Sequence, residues 1–210
     1  MARHIPSGTT AALTLCRFDQ ALSDALRPSP DYDVDRWLYV PNVYSEYRYI
    51  LGTRGARPLI CVGINPSTAA PDHLDPTLQS AQRMALSSGY DSFLMFNVYA
   101  QRATDPNAME QSCNLELHRE NLRALEYLLS LNPQPAVWAA WGAIIEKRRY
   151  LARCLLDEIA LGRRFGARWF TAGPISKKGH PHHPLYLPKS APLAPFDPER
   201  YCREILGFAD

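Results

Sequence analysis

Two short segments concentrate the residues able to do chemistry. Gly63-Ile64-Asn65-Pro66-Ser67-Thr68 follows an apolar run. Its glycine lets backbone or ligand approach closely, its proline fixes a turn, and Asn65 offers an amide that can orient a water or a polar substrate group. The same residue types also make an ordinary strand-to-helix turn, because Asn and Pro favour turns. The second segment, His180-Pro181-His182-His183-Pro184-Leu185, gathers three histidines within four residues. A neutral imidazole on so rigid a loop can donate a hydrogen bond to a developing oxyanion; the plainer reading is a proline-rich surface loop. Zinc is the other chemistry that clustered histidines suggest. Two prolines forbid a helix here, and neither a His-Glu-x-x-His pattern nor a nearby thiolate pair completes a ligand set. No metal and no cofactor are expected.

Further candidates lie between these segments. Asn97 closes an apolar run, where an amide must find partners; its donor and acceptor would suit the edge of a base, or would simply cap the next turn. Arg102, Thr104 and Asp105 follow. Arg102 either pairs with Asp105 on the loop or contacts a phosphate. Asp75 precedes Pro76-Thr77 and reads as a helix N-cap as readily as a substrate contact. The basic groups Lys147-Arg148-Arg149, Arg163-Arg164 and Lys177-Lys178 suit a local patch or a solvated face.

Strands and helices must alternate to hold these residues. Leu59 to Ile64 lacks polar alternation, as a central strand buried on both faces does. Tyr47 to Leu51 precedes it, with Gly52, Gly55 and Pro58 between, which suggests a hairpin. Helices are predicted from Pro76 to Ser87, Asn114 to Leu131 and Ile144 to Leu161. Strands are predicted from Ser92 to Val98, Ala136 to Trp141 and Ala167 to Ala172. The expected fold is therefore α/β: a three-layer α/β/α sandwich around a four-stranded, mainly parallel sheet. Ligands of such sheets bind beyond the carboxyl ends of the strands, and every chemically rich segment here follows a strand. Residues 1–44, with a short helix from Arg17 to Leu26, read as an N-terminal extension packed on or beside the core, and residues 45–210 as a single domain.

The chain has 210 residues, 46% of them hydrophobic, enough for one packed core. A net charge of +2 argues against a protein that coats nucleic acid, though not against a local basic patch. The five cysteines are odd in number and unpaired in spacing, which argues against a disulfide framework or an iron–sulfur site. Neither a membrane-length apolar run nor a secretory signal is evident, so a cytoplasmic monomer without membrane contact is expected.

Taken together, the motifs resemble a bacterial domain-of-unknown-function family, number 1643. Its pattern is matched by Asn65-Pro66-Ser67-Thr68-Ala69, Asp75-Pro76-Thr77, Arg102-Ala103-Thr104 and His183-Pro184-Leu185-Tyr186, over about residues 45–190. More distantly, the same segments resemble the uracil-DNA glycosylase superfamily. Gly63-Ile64-Asn65-Pro66 is similar to the first motif of its mismatch-specific branch, which implies that Asn65 holds the attacking water. Phe93 to Val98 resembles the strand whose last Asn reads uracil, a role that falls on Asn97. Trp141-Gly142 with Lys147 resembles the end of the third strand. The His180 to Leu185 segment resembles the second motif with one residue added. That leaves the histidine role open between His180 and His183 and gives Leu185 the place of the duplex-wedging leucine. The Asp-Pro-Tyr-His form, a Phe platform after the first motif and the iron–sulfur cysteines are all missing.

The resemblance implies an N-glycosidic hydrolase acting on a damaged or modified base in DNA, as in base-excision repair, or in a related nucleotide. Gly63, Ile64, Pro66, Ser67, Thr68, Asp75, Asn97, Arg102, Thr104 and Leu185 would contact the substrate, and Asn65 with His183 or His180 would act on it. The alternatives are a non-catalytic nucleic-acid or nucleotide-binding module of the same fold, and a hydrolase of another substrate class.

Overall fold

The computed structural model describes residues 9–208. Along the chain run α1 (Phe18–Ala25), β1 (Trp37–Val40), β2 (Ile50–Thr53), β3 (Pro58–Gly63), α2 (Pro76–Ser87), β4 (Ser92–Asn97), α3 (Leu115–Ser130), β5 (Ala136–Ala139), α4 (Arg149–Arg164), β6 (Arg168–Ala172), β7 (Leu193–Pro195) and α5 (Pro198–Glu204). β3 is buried at every position, as its uninterrupted apolar sequence requires. It pairs in parallel with β4 on one side and β5 on the other, and β6 pairs in parallel with β5.

The sheet is larger than expected: seven strands rather than four, in the order β1-β2-β4-β3-β5-β6-β7. The outer strands make it mixed, because β1–β2, β2–β4 and β6–β7 are antiparallel. The expected hairpin between Tyr47–Leu51 and the central strand is corrected as well. Both edges of β3 are taken by parallel partners, so β2 pairs instead with β1 and β4. The third predicted helix starts late. Gly142–Lys147 forms a tight 3₁₀ turn, Arg148 is extended, and α4 begins only at Arg149. Arg148 earns its place there: its guanidinium donates to the carbonyls of Asn107, Met109 and Glu110, joining two loops.

Of the first 44 residues, 1–8 lie outside those described. Phe18, Ala21 and Ala25 of α1 enter the core, and β1 extends the sheet. Side chains alternate across the pleat, so each strand feeds two cores. Ile60, Val62, Leu94, Phe96, Val137 and Ala139 pack with α1, α3 and α4. Leu59, Cys61, Phe93, Met95, Ala136 and Trp138 pack under α2. Helices thus cover both faces. The chain leaves β3 through α2 on one face and leaves the adjacent β5 through α4 on the other. Such a reversal opens a crevice beyond the strand ends.

Candidate functional site

By the topological rule a crevice is expected between the ends of β3 and β5. Past Gly63 the chain stays beside the continuation of β4: Val98 N donates to Gly63 O at 2.9 Å, Tyr99 N to Ile64 O at 3.0 Å and Ala103 N to Pro66 O at 2.9 Å. Asn65 is half-buried in this ribbon. Its Nδ2 donates to the carbonyls of Pro66 (3.0 Å) and Ala103 (2.8 Å), which fixes the amide plane. Its Oδ1 accepts from no donor among the described residues, so it is held in place yet available to a water.

Asn97 sits level with Gly63 in the parallel register. Met95 faces α2, and residues two apart share a face, so Asn97 points the same way. It is 1% exposed, and neither Nδ2 nor Oδ1 has a partner. Leaving a buried amide unpaired costs about 1–3 kcal/mol per group. A side chain at position 63 would collide with it, since an added Cβ would stand 2.9 Å from Asn97 Oδ1 and 2.4 Å from Met95 Cε. Glycine is required there by close approach.

The two candidate histidines differ completely. His180 is buried, and both ring nitrogens are engaged, with Tyr201 Oη at 2.8 Å from Nδ1 and Glu146 Oε1 at 3.1 Å from Nε2. Tyr201 in turn accepts from Trp141 Nε1 at 3.1 Å, and Glu146 accepts from Lys178 Nζ at 3.0 Å. His180 therefore belongs to a closed structural network rather than to the open crevice. His183 stands at the crevice. A Cβ on Gly142, whose φ is +63°, would lie 3.3 Å from His183 Cβ. The Nδ1 of His183 accepts the Leu185 N–H at 3.4 Å, capping the Pro184–Tyr186 turn. That bond assigns the proton of the neutral ring to Nε2. Burial lowers the pKa of His183, opposed by the carboxylate of Asp75.

A second group of polar residues shares the α2 side. Tyr47 bridges Gln101 in antiparallel fashion, so Arg48 and Arg102, one residue beyond each, project together to the face opposite Tyr47. Both arginines are fully buried. Both donate through Nη1 to the carbonyl of Ala69, each at 3.3 Å. Arg102 also donates to the Ser67 carbonyl and, at 3.1 Å, to Tyr39 Oη, and its guanidinium lies 4.1 Å from the centre of the Tyr44 ring. The expected Arg102–Asp105 loop pair is not formed. Arg102 is buried beneath the loop, and Asp105 caps the next turn through Asn107 N at 2.8 Å. Asp75 caps α2, accepting from Leu78 N at 2.9 Å, and its charge acts on Arg48, Arg102 and His183 alike.

The loop after β3 thus holds Asn65 against the Ala103 carbonyl and places Asp75 within electrostatic reach of Arg48, Arg102 and His183, while Asn97 lies level with Gly63. Thr68, Thr104 and Leu185 are exposed on the surrounding loops, whereas Ile64 is a core residue. Arg48 escaped the sequence reading. The available signal was a lone charge in the apolar stretch Tyr47-Arg48-Tyr49-Ile50. Among the described residues, no group of three His, Cys, Asp or Glu side chains could hold a metal ion. No helix among them is long and apolar enough to cross a membrane.

A family model described as "Protein of unknown function (DUF1643)" matches residues 48–185. The chain belongs to the DUF1643 family. The DUF1643 segment runs from Arg48 to Leu185 and so holds Asn65, Asp75, Asn97, Arg102, His180 and His183, while Tyr39 and Tyr44 precede it. Comparisons with curated proteins and with solved structures give no match.

Proposed function

We propose that this protein hydrolyses an N-glycosidic bond, releasing a damaged or modified base from DNA or a related nucleotide, on an architecture akin to that of the uracil-DNA glycosylases. One observation carries the reading. Asn97, buried at the end of a central strand, keeps both amide positions unpaired where a ligand's complementary donor and acceptor would satisfy them. The edge of a nucleobase offers that pattern. Asn65 Oδ1 accepts a hydrogen bond from water and aims its oxygen at the sugar carbon. The glycosidic bond breaks with its electron pair passing to the base, the water oxygen bonds to the sugar carbon, and the proton the water loses passes through solvent to the departing base. His183 Nε2–H then donates to the base oxygen on which charge gathers. A neutral donor suits this step, because burial favours the uncharged ring. Substrate in a duplex would have to be flipped out of the stack to reach Asn97.

The test is a panel of damaged and modified oligonucleotides and free nucleotides, scored for released base and for abasic sites. With a responsive substrate, Asn65→Ala is expected to lower kcat on the order of 10²–10³-fold with nearly unchanged affinity, since a water-orienting contact acts mainly in the transition state. Release of no base from any member would favour a binding module that keeps the fold without turnover. That second reading draws on the Nδ2 of Asn65, which already serves the loop backbone.

A further inference from the structure

Arg48 and Arg102 are hard to explain as structural residues. Both are 0% exposed, and neither forms an ion pair among the described residues. Arg48 leaves Nε and Nη2 without partners, and Arg102 leaves Nε. Nε and Nη2 are the two donors along one side of the guanidinium plane, the edge that binds an oxyanion in bidentate fashion. The guanidinium of Arg102 disfavours the charge of Arg48. Burial first, and then Arg102, pull the pKa of Arg48 down to about 9. Asp75 is a carboxylate whose charge acts on both, so among the described residues two buried cations share the influence of one anion. A buried charge without a counter-charge is strongly unfavourable.

We infer that Arg48 and Arg102 form a receptor for a phosphate monoester carried by the ligand. A carboxylate would use its two oxygens on the edge of Arg48 and leave Arg102 Nε unpaired. A tetrahedral phosphate presents further oxygens to the second arginine and, at neutral pH, carries close to two negative charges. Full burial favours a terminal phosphate over one inside a polymer, whose chain would have to continue on both sides. The partly exposed ring of Tyr44 lies over Arg102. The substrate class is then a mononucleotide-like phosphate ester, with its phosphate at the arginines and its base at Asn97. What the phosphate is attached to rests on the proposed function; the phosphate itself rests on the arginines alone.

Calorimetric titration with inorganic phosphate, at constant ionic strength maintained with chloride, tests the receptor directly. Saturable binding to the wild-type chain is expected, with a rise in Tm as phosphate is added. Arg48→Lys keeps a charge but loses the bidentate edge, and phosphate affinity should fall roughly tenfold or more. Arg48→Met should abolish saturation while leaving the phosphate-free Tm unchanged or higher, whereas loss of a merely structural arginine would lower it. If Arg48→Met does not fold, wild type and Arg48→Lys decide. No saturable phosphate binding, or equal affinity in Arg48→Lys, overturns the inference. Nucleoside 5′-monophosphates should bind more tightly than their nucleosides, and equal affinity for the two overturns it too. Phosphate binding without base release would retain the receptor and discard the hydrolase. Base release from nucleosides as fast as from their monophosphates would do the reverse.

Discussion

Two polar clusters, each with a buried centre, lie near the ends of the parallel strands, and they are built on opposite plans. Around His180, every strong donor meets an acceptor: Trp141 to Tyr201, Tyr201 to His180, His180 to Glu146, and Lys178 to Glu146. Around Asn97, Arg48 and Arg102, six buried nitrogen and oxygen positions, taken with Trp138 Nε1 on the same face, find none. A satisfied network rigidifies a fold, whereas an unsatisfied one costs stability in the free protein and regains it with a ligand. The difference separates the histidine that holds the C-terminal helix from the one that faces the crevice, although they are three residues apart.

The sharpest way to break this comparison is to exchange the consequences of the two histidines. His183→Ala should slow base release by about 10²-fold, the value of one oriented donor to a developing oxyanion, with stability close to wild type. His180→Ala should do the opposite. Removing one member strands Tyr201 and costs about 1–3 kcal/mol of unfolding free energy in a urea titration, while the folded fraction retains the wild-type rate. Rates that fall equally in both variants would dissolve the distinction.

A smaller effect, opposite in sign, is expected at Asn97. Asn97→Leu fills a similar volume and removes two unpaired polar atoms, so it should raise stability by about 1 kcal/mol while erasing base discrimination. Thermal unfolding with and without substrate checks both halves. Lower stability in this variant would show that the amide is satisfied within the fold.

The smallest effect is a pH dependence. His183 is held below the usual imidazole pKa by burial. Between about 6.5 and that lower value, the unfolded chain binds the extra proton and the folded chain does not. The contribution to stability is therefore complete above the ordinary imidazole range and is lost as pH falls through the folded pKa. Urea midpoints measured across this window should decline toward acid in the wild type, and less steeply in His183→Gln.

The parallel centre of the fold was legible because four apolar runs separated by amphipathic stretches admit few arrangements. Asn65, Asn97 and the His-Pro segment were legible because each follows one of those runs. Three things were hidden. β7, Leu193–Pro195, sits in a stretch whose prolines read as loop, and proline is tolerated only because the strand is short and lies at the sheet edge. β1 lacks the polar alternation of an ordinary edge strand, since it is covered on each face, and only the partners of β2, not its existence, escaped the sequence. The role of Arg48 depends on a cross-strand neighbour 54 positions away in the sequence, Arg102, which no local pattern reveals.

The β1–β2 pair also matters for how the protein behaves at high concentration. β2 closes the outer edge of β4, and β1 closes β2. A chain trimmed to residues 45–210 would lose α1 and β1 together. It would bare Ile50 and Leu51, now fully buried, along an unpaired strand edge. Open, flat, apolar edges recruit strands from other molecules. Such a trimmed chain is expected to form aggregates held edge to edge, which makes β1 a guardian of solubility as well as part of the frame.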